Sequence, residues 1–219
     1  KNRIAKNSSY VNYSFYIGAT GKNLDTLQTM KSDTVCGVKV FMGSSTGDMV
    51  VSDWNCIGDI LSGVNMPVAV HAEDDRIIKE RYIHIFQREK GQWRPSLHPE
   101  IRNHEACVSA TRSAIELNRK HGGHLHVLHL STAEEVDMIE KAKARNQHVT
   151  AEVCVHHLWF TDEDYHSKGN RIKWNPAVKS KKDREALRAG LKAGIIDVVA
   201  TDHAPHTVEE KDAEGFNVP

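Results

Sequence analysis

The sequence lacks the patterns that mark several familiar classes of protein. Its four cysteines, Cys36, Cys56, Cys107 and Cys154, form no CxxC pair. This argues against a zinc finger and a small disulfide framework, and it favours a reducing, cytoplasmic setting. No stretch approaches the roughly 20 apolar residues that a membrane-spanning helix needs, and the first residues do not resemble a secretory signal. We therefore expect a soluble protein that does not insert into a membrane.

An excess of one charge is also missing. Lysine and arginine together number 29, and aspartate and glutamate together also number 29. This balance provides no basic surface for nucleic acid or for an anionic membrane. The glycine-rich phosphate loops GxGxxG and GxxxxGKS/T are absent as well, which argues against an open dinucleotide-binding sheet.

What the sequence does contain is an alternation of short apolar runs and amphipathic stretches. Its 219 residues, 39% apolar and 26% charged, suit an ordinary globular domain. Near-continuous valine, isoleucine and leucine predict buried strands of a parallel sheet. These strands are Tyr10 to Gly18, Val35 to Met42, Pro67 to His71, His124 to Leu130, His148 to Cys154 and Asp197 to Asp202. Between them, the spacing predicts helices over Pro99 to His121, from Ser131 to Lys143, and over Lys181 to Ala193.

Strands that alternate with helices predict an α/β fold with a parallel sheet. Polar side chains follow several different strands, which favours a closed (β/α)₈ barrel over an open sheet, because a barrel gathers the carboxyl ends of its strands into one catalytic face. Six strands cannot close such a barrel. We therefore expect residues 1–219 to form a single barrel domain whose missing strands belong to its N-terminal side.

Four of these strands carry a metal-binding type of side chain at or near their ends. The four residues are Lys39, His71, His129 and Asp202. Period-two alternation places His71 with Ala69, Asp202 with Ala200, and His129 with Val127 and Leu125, and we expect these faces to line the barrel. Imidazole nitrogens and a carboxylate suit a divalent ion such as zinc. A lysine inside an apolar strand is unfavourable unless its amine reaches solvent, is ion-paired, or is chemically changed, for example into a carbamate.

These segments together resemble the cyclic amidohydrolases and, among them, the dihydroorotases. The matching segments are GVKVFMGSSTG (37–47), HAE (71–73), HLS (129–131), EVCVHHL (152–158) and TDHAPHTVEEK (201–211). The resemblance implies a metal-dependent barrel in which carboxylated Lys39 bridges two Zn²⁺ ions. It implies that His71 and His129 bind one ion, and that Asp202 binds the other and shuttles the proton. The implied reaction is the reversible hydrolysis of L-dihydroorotate to N-carbamoyl-L-aspartate in pyrimidine synthesis.

Two further positions bear on the substrate. Asn175 begins an Asn-Pro-Ala segment like that of dihydroorotases, where the resemblance implies contact with the substrate ring, although Asn-Pro also favours a plain turn. His206 is implied to hold a substrate carboxylate. Hydantoinases, dihydropyrimidinases and allantoinases are the alternative, and they usually carry other residues at the Asn175 position. His156 and His157 receive no assigned role.

One departure from the family pattern is large. The His-x-His pair of the first barrel strand is absent, as are an arginine that holds the substrate carboxylate and an asparagine after the second strand. Tyr10 to Thr20 is similar to the third strand, so we expect a partial chain that holds strands three to eight and is nearly inactive alone. A catalytically silent binding subunit is the other explanation. A homodimer is an expectation from the resemblance.

Overall fold

A computed structural model describes residues 1–43, 50–51, 53–216 and 218–219. The strands are β1 (Tyr16–Gly18), β2 (Gly37–Phe41), β3 (Val68–His71), β4 (Leu125–Val127), β5 (Val149–Cys154) and β6 (Val198–Ala200). The α-helices are α1 (Asn2–Ser8), α2 (Leu24–Thr29), α3 (Trp54–Gly63), α4 (Asp75–Arg88), α5 (His98–Ile101), α6 (His104–His121), α7 (Ala133–Ala144), α8 (Val155–Trp159), α9 (Tyr165–Lys168), α10 (Lys181–Lys192) and α11 (Val208–Lys211). Short 3₁₀ helices cover Pro95–Leu97, Asp162–Asp164 and Gly169–Ile172.

The six strands form one parallel sheet in the order β1-β2-β3-β4-β5-β6. Every strand therefore lies beside its predecessor in the chain, with helices in the connections. A doubly wound sheet reverses its strand order at a switch point, whereas the wall of a (β/α)₈ barrel does not. The predicted parallel α/β barrel, incomplete in this chain, is confirmed.

Neither edge of this sheet is covered by another strand within the described part of the chain. At one edge Tyr16 is 46% exposed, and at the other Val198 and Val199 are 41% and 49% exposed. Valines with both faces of their strand in solvent are unusual, because strands of parallel sheets are normally buried on both faces. The apolar edges indicate where the wall of the barrel continues.

The two faces of the sheet differ in chemistry. Val38, Val40, Val68 and Val70 point to the helices and join the main core, which also holds Leu27, Ile57, Ile60, Leu61, Ala114, Ile139 and Leu187. Burial of one valine, leucine or isoleucine side chain stabilises the fold by about 1.5–3 kcal/mol. The alternate positions, such as Lys39, face the interior of the barrel wall, since successive side chains of a strand point to opposite faces.

Three helices that support the site begin at polar caps that the sequence makes recognisable. The Asn103 side chain accepts a hydrogen bond from the amide of Ala106 at the start of α6. Thr132 and Glu135 form a reciprocal capping box on α7, and Ser180 with Asp183 forms another on α10. Each cap satisfies amides that have no partner inside the helix.

The predicted helix from Pro99 to His121 is interrupted. It consists of α5 and α6, with Arg102 and Asn103 between them. The break follows from Asn103, because an N-cap residue requires an extended backbone, here with φ −81° and ψ 178°. As a result, the Arg102 side chain turns inward and is only 9% exposed.

The first predicted strand is shorter than expected. Only Tyr16 to Gly18 pair with β2, and Tyr10 and Val11 are exposed. Aromatic and apolar residues favour a strand, but a strand also needs a partner, and β2 is too short to reach Tyr10. Among the described residues, no helix is both long enough and apolar enough to cross a bilayer.

Candidate active site

A pair of buried histidines lies at the carboxyl ends of β3 and β4. His71 is the last residue of β3, and His129 follows β4 by two residues. Nε2 of His129 lies 3.0 Å from Nδ1 of His71, and the rings meet edge to face with centroids 4.6 Å apart. The two residues are only 6% and 3% exposed. Burial, followed by the neighbouring His71 and Lys39, lowers the pKa of His129 well below its usual value, so this imidazole is neutral at physiological pH.

The second ring nitrogen of His71 is held by a carboxylate. Nε2 of His71 donates to the Glu73 carboxylate at 2.7 Å, which leaves Nδ1 of His71 with its lone pair toward His129. Glu73 is completely buried and also accepts a hydrogen bond from the Arg102 guanidinium. Burial by itself would raise the pKa of the Glu73 carboxyl, but Arg102 and His71 outweigh it and lower the pKa to about 2. The Glu73 carboxylate is therefore ionised at physiological pH and lies in contact with His71.

Lys39 lies on the barrel-facing side of β2. Its register neighbours are Gly18 on β1 and Ala69 on β3, two small residues that leave room for its long side chain. Its amine lies 4.6 Å above the Phe41 ring. Burial lowers the pKa of the Lys39 amine to about 8, although Asp202 and Glu152 act in the opposite direction. The amine thus loses its proton close to neutral pH, which is the state that reacts as a nucleophile.

Asp202 and His206 follow β6 in an exposed loop. Asp202 has a left-handed backbone, with φ 46°, and its charge acts on Lys39. Both residues line an open cleft together with His156 and Trp174. Nδ1 of His206 lies 3.3 Å from the Glu210 carboxylate. Asn175 is exposed and directly follows Trp174, so it lies next to the wall of this cleft.

Comparison with known proteins places this geometry in a family. A dihydroorotase from Staphylococcus epidermidis is 38% identical over 176 residues, which are 80% of this chain and 40% of that protein. A dihydroorotase from Lactiplantibacillus plantarum is 43% identical over 149 residues, 68% of this chain and 33% of that protein. The chain belongs to the dihydroorotase family of cyclic amidohydrolases. It spans about 40% or less of the length of these two relatives.

A solved structure of this superfamily agrees with the fold. The L-hydantoinase (dihydropyrimidinase) from Arthrobacter aurescens superposes with a TM-score of 0.85 at 26% identity, over 92% of this chain and 45% of that one. No family model matches the chain. The cyclic amidohydrolases are metal-dependent hydrolases, and the described residues contain groups of side chains that could hold an ion.

The expectation about the face of His129 was wrong. Val127 and Leu125 point away from the barrel interior and into the core between sheet and helices. His129 does not point to the core as Val127 and Leu125 do, because β4 ends at Val127 and the His129 backbone is left-handed, with φ 38°. The residue of β4 that faces the interior is His126, whose Nδ1 lies 2.9 Å from the Thr150 hydroxyl on β5. Alternation cannot be extended past the last paired residue of a strand.

The predicted site residues lie in two places, at the ends of β3 and β4 and around the loop after β6. The structure brings His71 and His129 into contact. It also places Asp202 close enough to Lys39 for its charge to oppose part of the lowering of the Lys39 pKa by burial. His206 lines the same cleft as Asp202. The end of the GVKVFMGSSTG segment, residues 44–47, lies outside the described residues.

Sequence reasoning missed the role of Glu73 and Arg102. Glu73 had a usable signal, because a carboxylate two residues after a strand-end histidine is near enough to orient its ring. Arg102 had none. It lies within a stretch predicted to be a continuous helix, and only the break before α6 turns it inward.

Proposed function

We propose that the protein to which this chain belongs is a dihydroorotase, which interconverts L-dihydroorotate and N-carbamoyl-L-aspartate. The observation that carries the proposal is the buried contact between His71 and His129, at two neighbouring strand ends of a barrel in this family. We propose that residues 1–219 supply strands three to eight of one catalytic domain, since no further strand of the described residues pairs with either edge of the sheet.

The histidine pair fits a divalent ion. Two ring nitrogens bound to one tetrahedral zinc ion, each at about 2.0–2.1 Å, are about 3.3 Å apart. Nδ1 of His71 and Nε2 of His129 are already 3.0 Å apart, so an ion can replace the proton they share with little movement. The Glu73 carboxylate on the other nitrogen of His71 is the usual support for a metal-binding histidine.

Lys39 and Asp202 would complete the binding site. A neutral Lys39 amine can add to carbon dioxide and release a proton to solvent, and the resulting carbamate would be an anionic oxygen ligand for the metal. The lowered pKa of Lys39 and the small neighbours Gly18 and Ala69 support this role. When bound, the metals would lower the pKa of water and polarise the ring carbonyl.

The residues of the chain would perform the proton transfer and the positioning. The Asp202 carboxylate would accept the proton of the attacking water and pass it to the ring nitrogen that leaves. His206 would hold the substrate carboxylate, and Asn175 would contact the ring. These two contacts favour a substrate that bears a carboxylate, and thus a dihydroorotase over a hydantoinase, dihydropyrimidinase or allantoinase.

The test is hydrolysis of L-dihydroorotate by the full-length protein with zinc and bicarbonate, beside hydantoin as the competing substrate. Asp202→Ala serves as the inactive variant and Asp212→Ala as the matched control, because Asp212 is paired with Arg171 on the surface. We expect turnover of dihydroorotate alone, lost in Asp202→Ala. Preference for hydantoin would favour the related amidohydrolases, and no turnover of either ring by a folded, metal-loaded protein would favour a silent binding subunit.

Three further expectations stay predictions. They are the zinc identity of the metal, the homodimer and the cytoplasmic location. Size measurement of the full-length protein in solution tests the homodimer, and metal analysis of the purified protein tests the zinc.

A further inference from the structure

A second group of metal-binding side chains lies beside the cleft, at the junction of β5 and α8. Cys154 is the last residue of β5, and His156 and His157 lie in the first turn of α8. The Cys154 sulfur and one ring nitrogen of each histidine all lie within 4.8 Å of one another. All three residues are buried, with exposures of 0%, 6% and 2%. None of the three belongs to the set formed by Lys39, His71, His129 and Asp202.

His157 carries the most direct sign of a missing ligand. Its Nε2 donates to the carbonyl oxygen of Pro176 at 3.0 Å, so Nδ1 carries the lone pair. Nδ1 of His157 is buried and has no hydrogen-bond partner among the described residues. A histidine that binds a metal typically donates its other nitrogen to a carbonyl or carboxylate in this way. His157 therefore has the orientation of a metal ligand.

His156 is held in place by an aromatic ring. It stacks on Trp174, with centroids 4.2 Å apart and planes at 16°. Trp174 immediately precedes the Asn175 segment, so the same stacking contact ties this cluster to the cleft.

We propose that Cys154, His156 and His157 form a second metal site, for a thiophilic divalent ion such as Zn²⁺. One thiolate and two imidazoles are a ligand set that zinc accepts, and three protein ligands leave a fourth position open toward the cleft that His156 lines. Nitrogen and sulfur ligands of tetrahedral zinc are about 3.3–3.6 Å apart, so the ligand atoms, all within 4.8 Å of one another, need to approach by at most about 1.5 Å. On binding, the Cys154 thiol releases its proton to solvent and the sulfur binds as thiolate.

The Cys154 sulfur distinguishes this second site from the metal site of the proposed function. Lys39, His71, His129 and Asp202 provide only nitrogen and oxygen, whereas the second site contains a thiolate. When Co²⁺ replaces Zn²⁺, thiolate ligation produces a charge-transfer absorption in the near ultraviolet that nitrogen and oxygen ligands do not produce. X-ray absorption of the zinc-loaded protein shows the same ligand as a sulfur neighbour at about 2.3 Å.

The experiment loads the metal-free protein with Co²⁺ and follows this absorption during titration. We expect one thiolate-bound Co²⁺ per chain, lost in Cys154→Ser and kept in the matched control Cys36→Ser, whose cysteine is exposed and outside the cluster. His157→Gln should weaken Co²⁺ binding at this site by about tenfold or more. Asp202→Ala should keep the absorption while it abolishes hydrolysis, which separates this site from the proposed function.

Two results would overturn the proposal. One is a wild-type protein with neither the charge-transfer absorption nor a sulfur neighbour around zinc. The other is an absorption that persists in Cys154→Ser and disappears in Cys36→Ser, which would assign the thiolate to the surface cysteine. X-ray absorption on the wild type and on Cys36→Ser does not require Cys154→Ser to fold. A wild type without a sulfur neighbour, or a sulfur neighbour lost in Cys36→Ser, would overturn the proposal.

Discussion

The carboxylate of Glu73 accepts a 2.7 Å hydrogen bond from Nε2 of His71, and this contact decides which nitrogen of His71 can bind a metal. Nε2 must carry the proton, so Nδ1 carries the lone pair that can bind a metal, and Nδ1 is the atom that lies 3.0 Å from Nε2 of His129. Arg102 contacts the same carboxylate from the break between α5 and α6. The contacts from Arg102 to Glu73 and from Glu73 to His71 therefore fix a single tautomer of His71.

Glu73→Gln tests this positioning role. The amide keeps the size of the side chain but loses the charge, so His71 becomes a weaker and less firmly oriented ligand. We expect zinc affinity to fall by about 10- to 100-fold, measured by competition with a chelator. Glu80→Gln, on the exposed side of α4, is the matched control and should bind zinc as the wild type does. Unchanged affinity in Glu73→Gln would mean that His71 does not depend on Glu73.

Carboxylation of Lys39 should depend on pH in a defined direction. Only the neutral amine reacts with carbon dioxide, and burial lowers the pKa of Lys39 to about 8. With ¹³C-labelled bicarbonate and zinc, we expect a carbamate signal in the NMR spectrum that grows from pH 6 to pH 8, in line with a pKa of about 8. The signal should be absent in Lys39→Arg.

Lys173 offers a control with the same acidity. Burial lowers its pKa to about 8 as well, but its amine donates to the carbonyl of Phe216 and is not part of the candidate site. Lys173→Arg should keep the carbamate signal. A signal lost in Lys173→Arg and kept in Lys39→Arg would refute the assignment.

The left-handed backbone of His129 predicts an unusual order of stability. At φ 38°, any side chain with a Cβ is strained by roughly 1–2 kcal/mol, whereas glycine is not. We therefore expect His129→Gly to unfold at a higher urea concentration than His129→Ala. At His71, the last residue of β3, the normal order should hold, with His71→Ala more stable than His71→Gly by about 0.5–1 kcal/mol. The same order at both positions would contradict the strained backbone.

A contact between helices should make stability depend on pH. Nε2 of His104, at the start of α6, lies 2.9 Å from the Asp183 carboxylate at the start of α10. The hydrogen bond to Asp183 raises the pKa of His104 above its usual value of 6.5. The contribution of His104 is therefore fully present below pH 6.5 and is lost as the pH rises through the raised pKa of the folded state. Because the His104 side chain is 44% exposed, we expect this contribution not to exceed about 1 kcal/mol.

Urea unfolding at pH 5.5 and at pH 8.5 measures this difference, in the wild type and in His104→Asn. The variant should lose the part of the pH dependence that His104 supplies, and His166→Asn, at an exposed position of α9, should not. Asp183, the partner of His104, affects stability at low pH. Burial would raise its pKa, but the bonds from His104 and Ser180 lower it to about 2, so its contribution is lost only in strong acid. Equal pH dependence in wild type and His104→Asn would disprove the role of this contact.

Much of the fold could be read from local pattern. The six apolar runs, the parallel order and the starts of α7 and α10 were all predicted, because burial on both faces and helix capping act between residues close in the chain. His71 lies at the end of a paired strand, so alternation with Ala69 placed it on the barrel side correctly. The predicted lengths of β1, β4 and β6 were wrong. Each of these strands has only three residues, since a strand extends only as far as its neighbours pair with it.

The contacts that complete the candidate site come from residues far apart in the chain. His129 reaches His71 across 58 positions because its backbone turns left-handed after β4, and Arg102 reaches Glu73 across 29 positions because the helix breaks at Asn103. His157 meets the carbonyl of Pro176 across 19 positions. Periodicity describes a side chain only while its strand or helix continues. At the end of an element, the direction of a side chain depends on a single backbone angle and on the partner that tertiary packing supplies.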